Sequence, residues 1–248
     1  MGKICLSNNR RRKDDMKTFL NTGMLGIFVS LSLCLFVGLS FATPSTQIWN
    51  PSTDIQGAGS MHLGIDNYFT SDGAGQGGYA FPTDIGLTYG LLPGLEIGID
   101  GFFPQQSPFV VNAKYGIGEN GNLPAVALGG FGFGSEKNAT DQNVLYAVAA
   151  KSFPMIGRLS AGYFSGNEKL LLDGTGQKDN SGIILTWDKA ITDKIWACVD
   201  YAGSKSILGS TFYGFSYLFA PNASVIFGYG TYNNGAKPTF TTQLDINI

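Results

Sequence analysis

From Asp84 to Phe103 the chain alternates between two side-chain classes in two runs separated by Leu92-Pro93-Gly94. Before the turn, Ile85, Leu87, Tyr89 and Leu91 oppose Asp84, Gly86, Thr88 and Gly90. After it, Leu95, Ile97, Ile99 and Phe103 oppose Glu96, Gly98, Asp100 and Phe102. Successive strand side chains project to opposite faces, so a period of two across a Pro-Gly turn predicts a β-hairpin. Its polar face carries full charges.

The same unit repeats along the rest of the chain. The pattern predicts twelve strands, at 60–70, 83–91, 95–103, 108–118, 124–134, 142–153, 158–166, 181–190, 194–203, 208–219, 223–232 and 238–248. In the ninth, Ile195, Ala197, Val199 and Tyr201 oppose Trp196, Cys198 and Asp200; in the last, Phe240, Leu244 and Ile246 oppose Thr239, Thr241, Gln243 and Asp245. The fifth slips phase at Gly129-Gly130. A bulge there would keep Val126, Leu128, Phe131 and Phe133 on one face.

Ahead of the strands lie two other segments. Residues 1–42 read as a secretory signal: Lys3, Arg10, Arg11, Arg12, Lys13 and Lys17, then the apolar run Met24–Phe41, then Ser40-Phe41-Ala42 as a cleavage site. Met16 offers an alternative start. A retained membrane anchor is the rival reading of the apolar run. Residues 43–59, TPSTQIWNPSTDIQGAG, have no periodicity and read as an extended tail or a lead-in to the first strand. Removing 1–42 leaves ten basic and sixteen acidic residues, a net charge of −6, which disfavours nucleic acid as a partner. Cys198 is then the only cysteine, so no disulfide forms within one chain.

Loop lengths separate a secreted β-sandwich from a membrane barrel. Connections after odd-numbered strands reach twelve and fourteen residues, at Ser71–Pro82 and Asn167–Asn180, whereas those after even-numbered strands run three to five. Long loops on one rim and short turns on the other are the asymmetry of a transmembrane barrel. The strands approach the roughly 9–11 residues of a tilted span, against a mode of about 5–6 in globular proteins. Aromatics gather at the expected interfaces: Phe69, Phe103, Phe109, Phe133, Tyr163 and Tyr201 toward the long loops, and Tyr89, Tyr115, Trp187 and Tyr217 toward the short turns. The fold class is therefore all-β, a single antiparallel up-and-down transmembrane barrel.

A signal peptide, about twelve amphipathic strands, sorted loops and an alternating last strand resemble a bacterial outer-membrane β-barrel protein over Met61–Ile248. The resemblance implies an outer-membrane location, contact with membrane lipid and lipopolysaccharide, and insertion by the barrel-assembly machinery. Such proteins usually end in an aromatic residue; this chain ends in Ile248.

Turning the polar phase inward lines the lumen with Asp66, Asp84, Glu96, Asp100, Asp188, Asp200 and Asp245, together with Lys114, Lys151, Arg158 and Lys194. Charged rings select ions by sign, so this set predicts a narrow channel for small polar or cationic solutes. Phe102, Phe164, Phe212 and Trp196 would narrow it. The same charges, paired with one another, would instead plug the barrel. A closed structural or adhesive barrel presenting Ser71–Pro82 and Asn167–Asn180 is the alternative function, and an outer-membrane lipid hydrolase is a third.

Little supports the third. His62 is the single histidine, it lies toward the short-turn end, and no G-x-S-x-G elbow exists. One histidine and one mature cysteine without clustered spacing do not predict a metal site. Gly73-Ala74-Gly75-Gln76-Gly77-Gly78 fits a dinucleotide fingerprint by letter, but strands flank it on both sides, so no cofactor is expected. Lys137, Lys169, Lys178, Lys205 and Lys237 lie in the outer loops, where lipopolysaccharide phosphates would meet them. Nearby acids make an ordinary solvated surface the simpler reading.

Overall fold

The computed structural model describes residues 45–248. The expected signal peptide lies outside the described residues, as do the first two residues of the lead-in. Twelve strands follow: β1 Met61–Phe69, β2 Thr83–Leu92, β3 Leu95–Phe103, β4 Phe109–Ile117, β5 Ala125–Gly134, β6 Asp141–Phe153, β7 Gly157–Ser165, β8 Ser181–Ala190, β9 Ile195–Ala202, β10 Ser210–Ala220, β11 Ala223–Tyr232 and β12 Thr239–Asn247. Each pairs antiparallel with its neighbours in sequence, and β1 pairs with β12 to close the barrel. Closure removes both sheet edges, so every strand, the last included, has two partners. At the seam Met61 and Ile248 exchange backbone hydrogen bonds of 3.0 and 2.8 Å.

Alternation decides which face is which. Ile85, Leu87, Tyr89 and Leu91 of β2 are exposed on the outside, while Thr88 and Gly90 are buried inside. Outward rings pair across strands at the rims, as in Phe69–Phe240 and Phe103–Phe109. The β2–β3 turn is Pro93-Gly94, with Gly94 at φ +80° in the left-handed region that glycine tolerates. Long connections at 70–82 and 166–180 share one rim. The sorting is incomplete, because the 118–124 connection on the other rim is longer than 104–108.

The structure corrects two details of the strand pattern. The phase slip in β5 falls at Phe131-Gly132, where the registers with β4 and β6 both shift and Gly132 takes φ +69°. Gly130 therefore keeps the outward phase of Val126 and Leu128. Phe133 packs outside against it, and Phe131 turns into the lumen beside Tyr146. The lead-in is no extended tail. Residues 45–56 enter the lumen from the short-turn side, and Gln47 and Ile48 are among the most buried residues of the protein.

Candidate functional site: the barrel lumen

The inserted segment is a finger with a hairpin stem. Ser45-Thr46 and Pro51-Ser52 face each other: Thr46 and Pro51 form an antiparallel bridge, and Ser52 N–H donates to the Ser45 carbonyl (3.1 Å). A second bond, Gln47 N–H to the Asn50 carbonyl (2.8 Å), closes the tip. A tight tip leaves backbone N–H groups pointing outward with no intrasegment acceptor. They must find one, because an unpaired buried N–H costs about as much as a lost hydrogen bond.

Asp200 of β9 supplies the acceptor. Its Oδ2 receives the N–H groups of Ile48 (3.2 Å), Trp49 (2.8 Å) and Asn50 (2.9 Å), and Asn50 Nδ2 donates to Oδ1. Successive N–H groups converging on one anion form a nest, and a carboxylate is its natural occupant. Above it the Trp49 indole stacks on Phe212 with centroids 5.2 Å apart, meets Tyr68 edge-on, and donates through Nε1 to the Leu208 carbonyl (3.0 Å). The Ile48 carbonyl accepts from Gln243 Nε2 at 2.8 Å. Ile48 itself joins Trp196, Cys198, Phe212 and Ile226 in one apolar cluster.

Three ion pairs hold the base of the finger. Glu96 and Lys114 face each other across β3 and β4 at 3.1 Å, each side chain 2% exposed. Glu96 also accepts from Ser45 Oγ (2.7 Å) and from Gln56 N–H (2.6 Å), and Lys114 Nζ donates to the Ser45 carbonyl. Arg158 and Asp188 face each other across β7 and β8 at 2.9 Å, and Arg158 reaches on to Asp54 at 2.6 Å. Gln47 Nε2 donates to the same Asp188 oxygen at 3.3 Å. Lumen glycines make room: a Cβ on Gly214 would lie 2.8 Å from Ile48 Cδ1, and one on Gly116 would lie 2.8 Å from Ile55 Cδ1.

The predicted lumen residues thus divide. Glu96, Lys114, Arg158, Asp188 and Asp200 are brought together around the finger. Asp245 lies 3.2 Å from His62 Nε2 near the short-turn end, both buried. Asp66, Asp84 and Asp100, one each from β1, β2 and β3, converge elsewhere. Asp66 is the direct cross-strand partner of Asp84, and Asp100 projects into the space left by Gly86. Asp100 accepts from Asn112 Nδ2 at 2.7 Å. Among the described residues no basic side chain pairs with any of the three.

Two predicted lumen residues are not in the lumen. Lys151 has the outward phase of Ala147 and Ala149, stands opposite exposed Leu159, and reaches over the rim to Glu119 at 2.7 Å. Its hydrogen bond holds the Glu119 carboxyl below the usual carboxylate range. Lys194 is exposed in the β8–β9 turn, one residue before β9 begins. Lys151 obeys the alternation of β6, whose inward residues are Val144, Val148 and Ala150, and Lys194 precedes β9, where no alternation governs it.

Beside the finger a cavity of about 370 Å³ remains, lined mainly by β1–β6 and including Asp66, Asp84, Asp100, Phe102, Phe131 and Tyr146. The finger and the clusters around Phe212 and Phe164 fill the other side. Leu171, from the 166–180 loop, is fully buried against Val144, Phe164 and Ile184, so that loop folds down onto the barrel. At the short-turn end Glu96, Lys114, His62 and Asp245 are all under 5% exposed.

Strand periodicity left the finger's own contact residues unrecognised: Ser45, Gln47, Ile48, Trp49, Asn50, Asp54 and Gln56. The available signal was the repeated Pro-Ser-Thr flanking Gln-Ile-Trp-Asn, an apolar pair at the centre of a polar segment.

No family model matches the chain, and no curated protein matches it. Solved structures do. The KdgM porin is 10% identical, with a TM-score of 0.51 over 75% of this chain and 97% of that one. A second structure of that porin, in complex with disordered oligogalacturonate, is 11% identical, with a TM-score of 0.46 over 76% of this chain and 97% of that one. A variant of the Rh. blastica porin is 13% identical, with a TM-score of 0.38 over 67% of this chain and 55% of that one. The likeness to the KdgM porin is one of fold: the chain has the closed antiparallel barrel of a porin.

Proposed function

We propose that the protein is a channel of the bacterial outer membrane that passes small polar or cationic solutes along the β1–β3 wall of its lumen. One observation carries the reading. Asp66, Asp84 and Asp100 line a cavity from three adjacent strands, and among the described residues no basic side chain pairs with them. Like charges placed directly opposite each other destabilise a sheet. A wall that keeps them attracts cations and repels anions. The outward apolar face and the aromatic rims support a membrane location, and the porin-like fold supports passage.

Reversal potentials in planar bilayers under a KCl gradient test this. Cation preference that falls toward zero in Asp66→Asn/Asp84→Asn/Asp100→Asn supports it. Anion preference overturns it, as does absence of current from both the whole chain and a form lacking the finger. The occupied lumen favours a second reading, a permanently closed barrel that presents its outer loops, and that last outcome is what it predicts.

A further inference from the structure

We propose that residues 45–56 are a displaceable gate that closes the short-turn end of the lumen and opens it by withdrawing. The inference rests on the channel reading above. Among the described residues no disulfide ties the finger to the wall, Cys198 being free, and Ser45, Thr46 and Pro51 already face the cavity. Beyond it the chain passes through Gly57 and Gly59, the latter at φ +82°, before β1 starts, so the segment meets the wall through a short glycine-bearing connection.

Its attachments suit release better than permanent packing. Most are hydrogen bonds and ion pairs to wall groups that water can satisfy equally well: Asp200, Glu96, Asp188, Lys114 and Arg158. The apolar share is concentrated at the tip, in Ile48 and Trp49. Withdrawal would also change the lumen's charge. The wall carries seven carboxylates, at Asp66, Asp84, Glu96, Asp100, Asp188, Asp200 and Asp245, against Lys114 and Arg158. With the finger in place, Asp200 is covered by its N–H donors. With the finger out, Asp200 faces the same space as Asp66, Asp84 and Asp100, and one acidic surface continues to the short-turn end. The gate is thus also a cover over part of the selectivity wall.

The experiment compares, in planar bilayers, the whole mature chain with a variant lacking residues 45–56. Expected are a several-fold larger conductance, stronger cation preference, and reclosure when a synthetic peptide of residues 44–56 is added on the short-turn side. Trp49→Ala, which removes the stacking of the finger's tip on Phe212 without shortening the chain, covers a deletion that fails to fold, and should also raise conductance. If both folded variants conduct as the parent does, the gate is refuted and the channel stands. If neither the parent nor the variants conduct, the channel reading fails and the gate with it.

Discussion

The Trp49 backbone N–H donates to Asp200 Oδ2 over 2.8 Å, joining residues 151 positions apart at the centre of the lumen. Flanking N–H groups from Ile48 and Asn50 converge on the same oxygen. A carboxylate oxygen that serves three donors at once is hard to replace, since each donor left buried and unpaired costs about 1–3 kcal/mol.

Asp200→Ala should therefore loosen the finger while the barrel stays closed. Hydrogen exchange at residues 48–50 should accelerate by about tenfold or more, corresponding to the loss of at least ~1.4 kcal/mol of protection. Exchange in the central strands should not change. Unchanged exchange at the finger would show that the nest does not hold it.

Glu96 and Lys114 make a second test, because breaking a buried pair differs from removing it. Lys114→Met leaves the Glu96 carboxylate buried without its cation, a loss of about 3–5 kcal/mol. Glu96→Gln combined with Lys114→Met should recover most of that. Urea unfolding from lipid vesicles measures both. Equal stabilities for the single and double variants would count against the pair.

The acidic wall should behave in the opposite way. Asp66→Asn relieves a like-charge pair with its cross-strand partner Asp84 and should stabilise the barrel by about 0.2–1 kcal/mol. The same change should weaken cation preference. Gain in stability with loss of selectivity separates a functional carboxylate from a structural one, which would lose stability on substitution.

On the outer face, Leu87→Arg places a charge against lipid. Near mid-membrane this costs about 2–4 kcal/mol in a transmembrane barrel. Folding yield into vesicles should fall sharply, whereas Thr88→Arg, one residue on but facing the lumen, should not incur the lipid penalty.

The hairpin from Asp84 to Phe103 shows what was legible without coordinates. Its alternation, its Pro-Gly turn and the outward placing of Ile85, Leu87 and Ile97 are local properties, set by the geometry of one strand, and they appear as read. The same holds for the number of strands. Less of the site was legible. That Glu96 meets Lys114, and Asp66 meets Asp84, depends on strand register, which one strand does not encode alone. Lys151 was misplaced because its charge put it with the polar phase although the alternation of β6 points it outward, and Lys194 because it lies in a turn before the alternation of β9 begins. Phe131 was misplaced because a bulge near a glycine pair has more than one position that satisfies the pattern on one side.

The amino-acid sequence by itself determined that this chain builds amphipathic strands whose apolar side must be covered, because a period of two is a statement about each residue and its immediate neighbours. Only the tertiary structure decided that Thr46–Thr53 lies inside the barrel. That segment has no periodicity to betray a face, and its position follows from donors at its tip and a carboxylate on β9 finding each other across the closed lumen, a match that exists only once the barrel has formed.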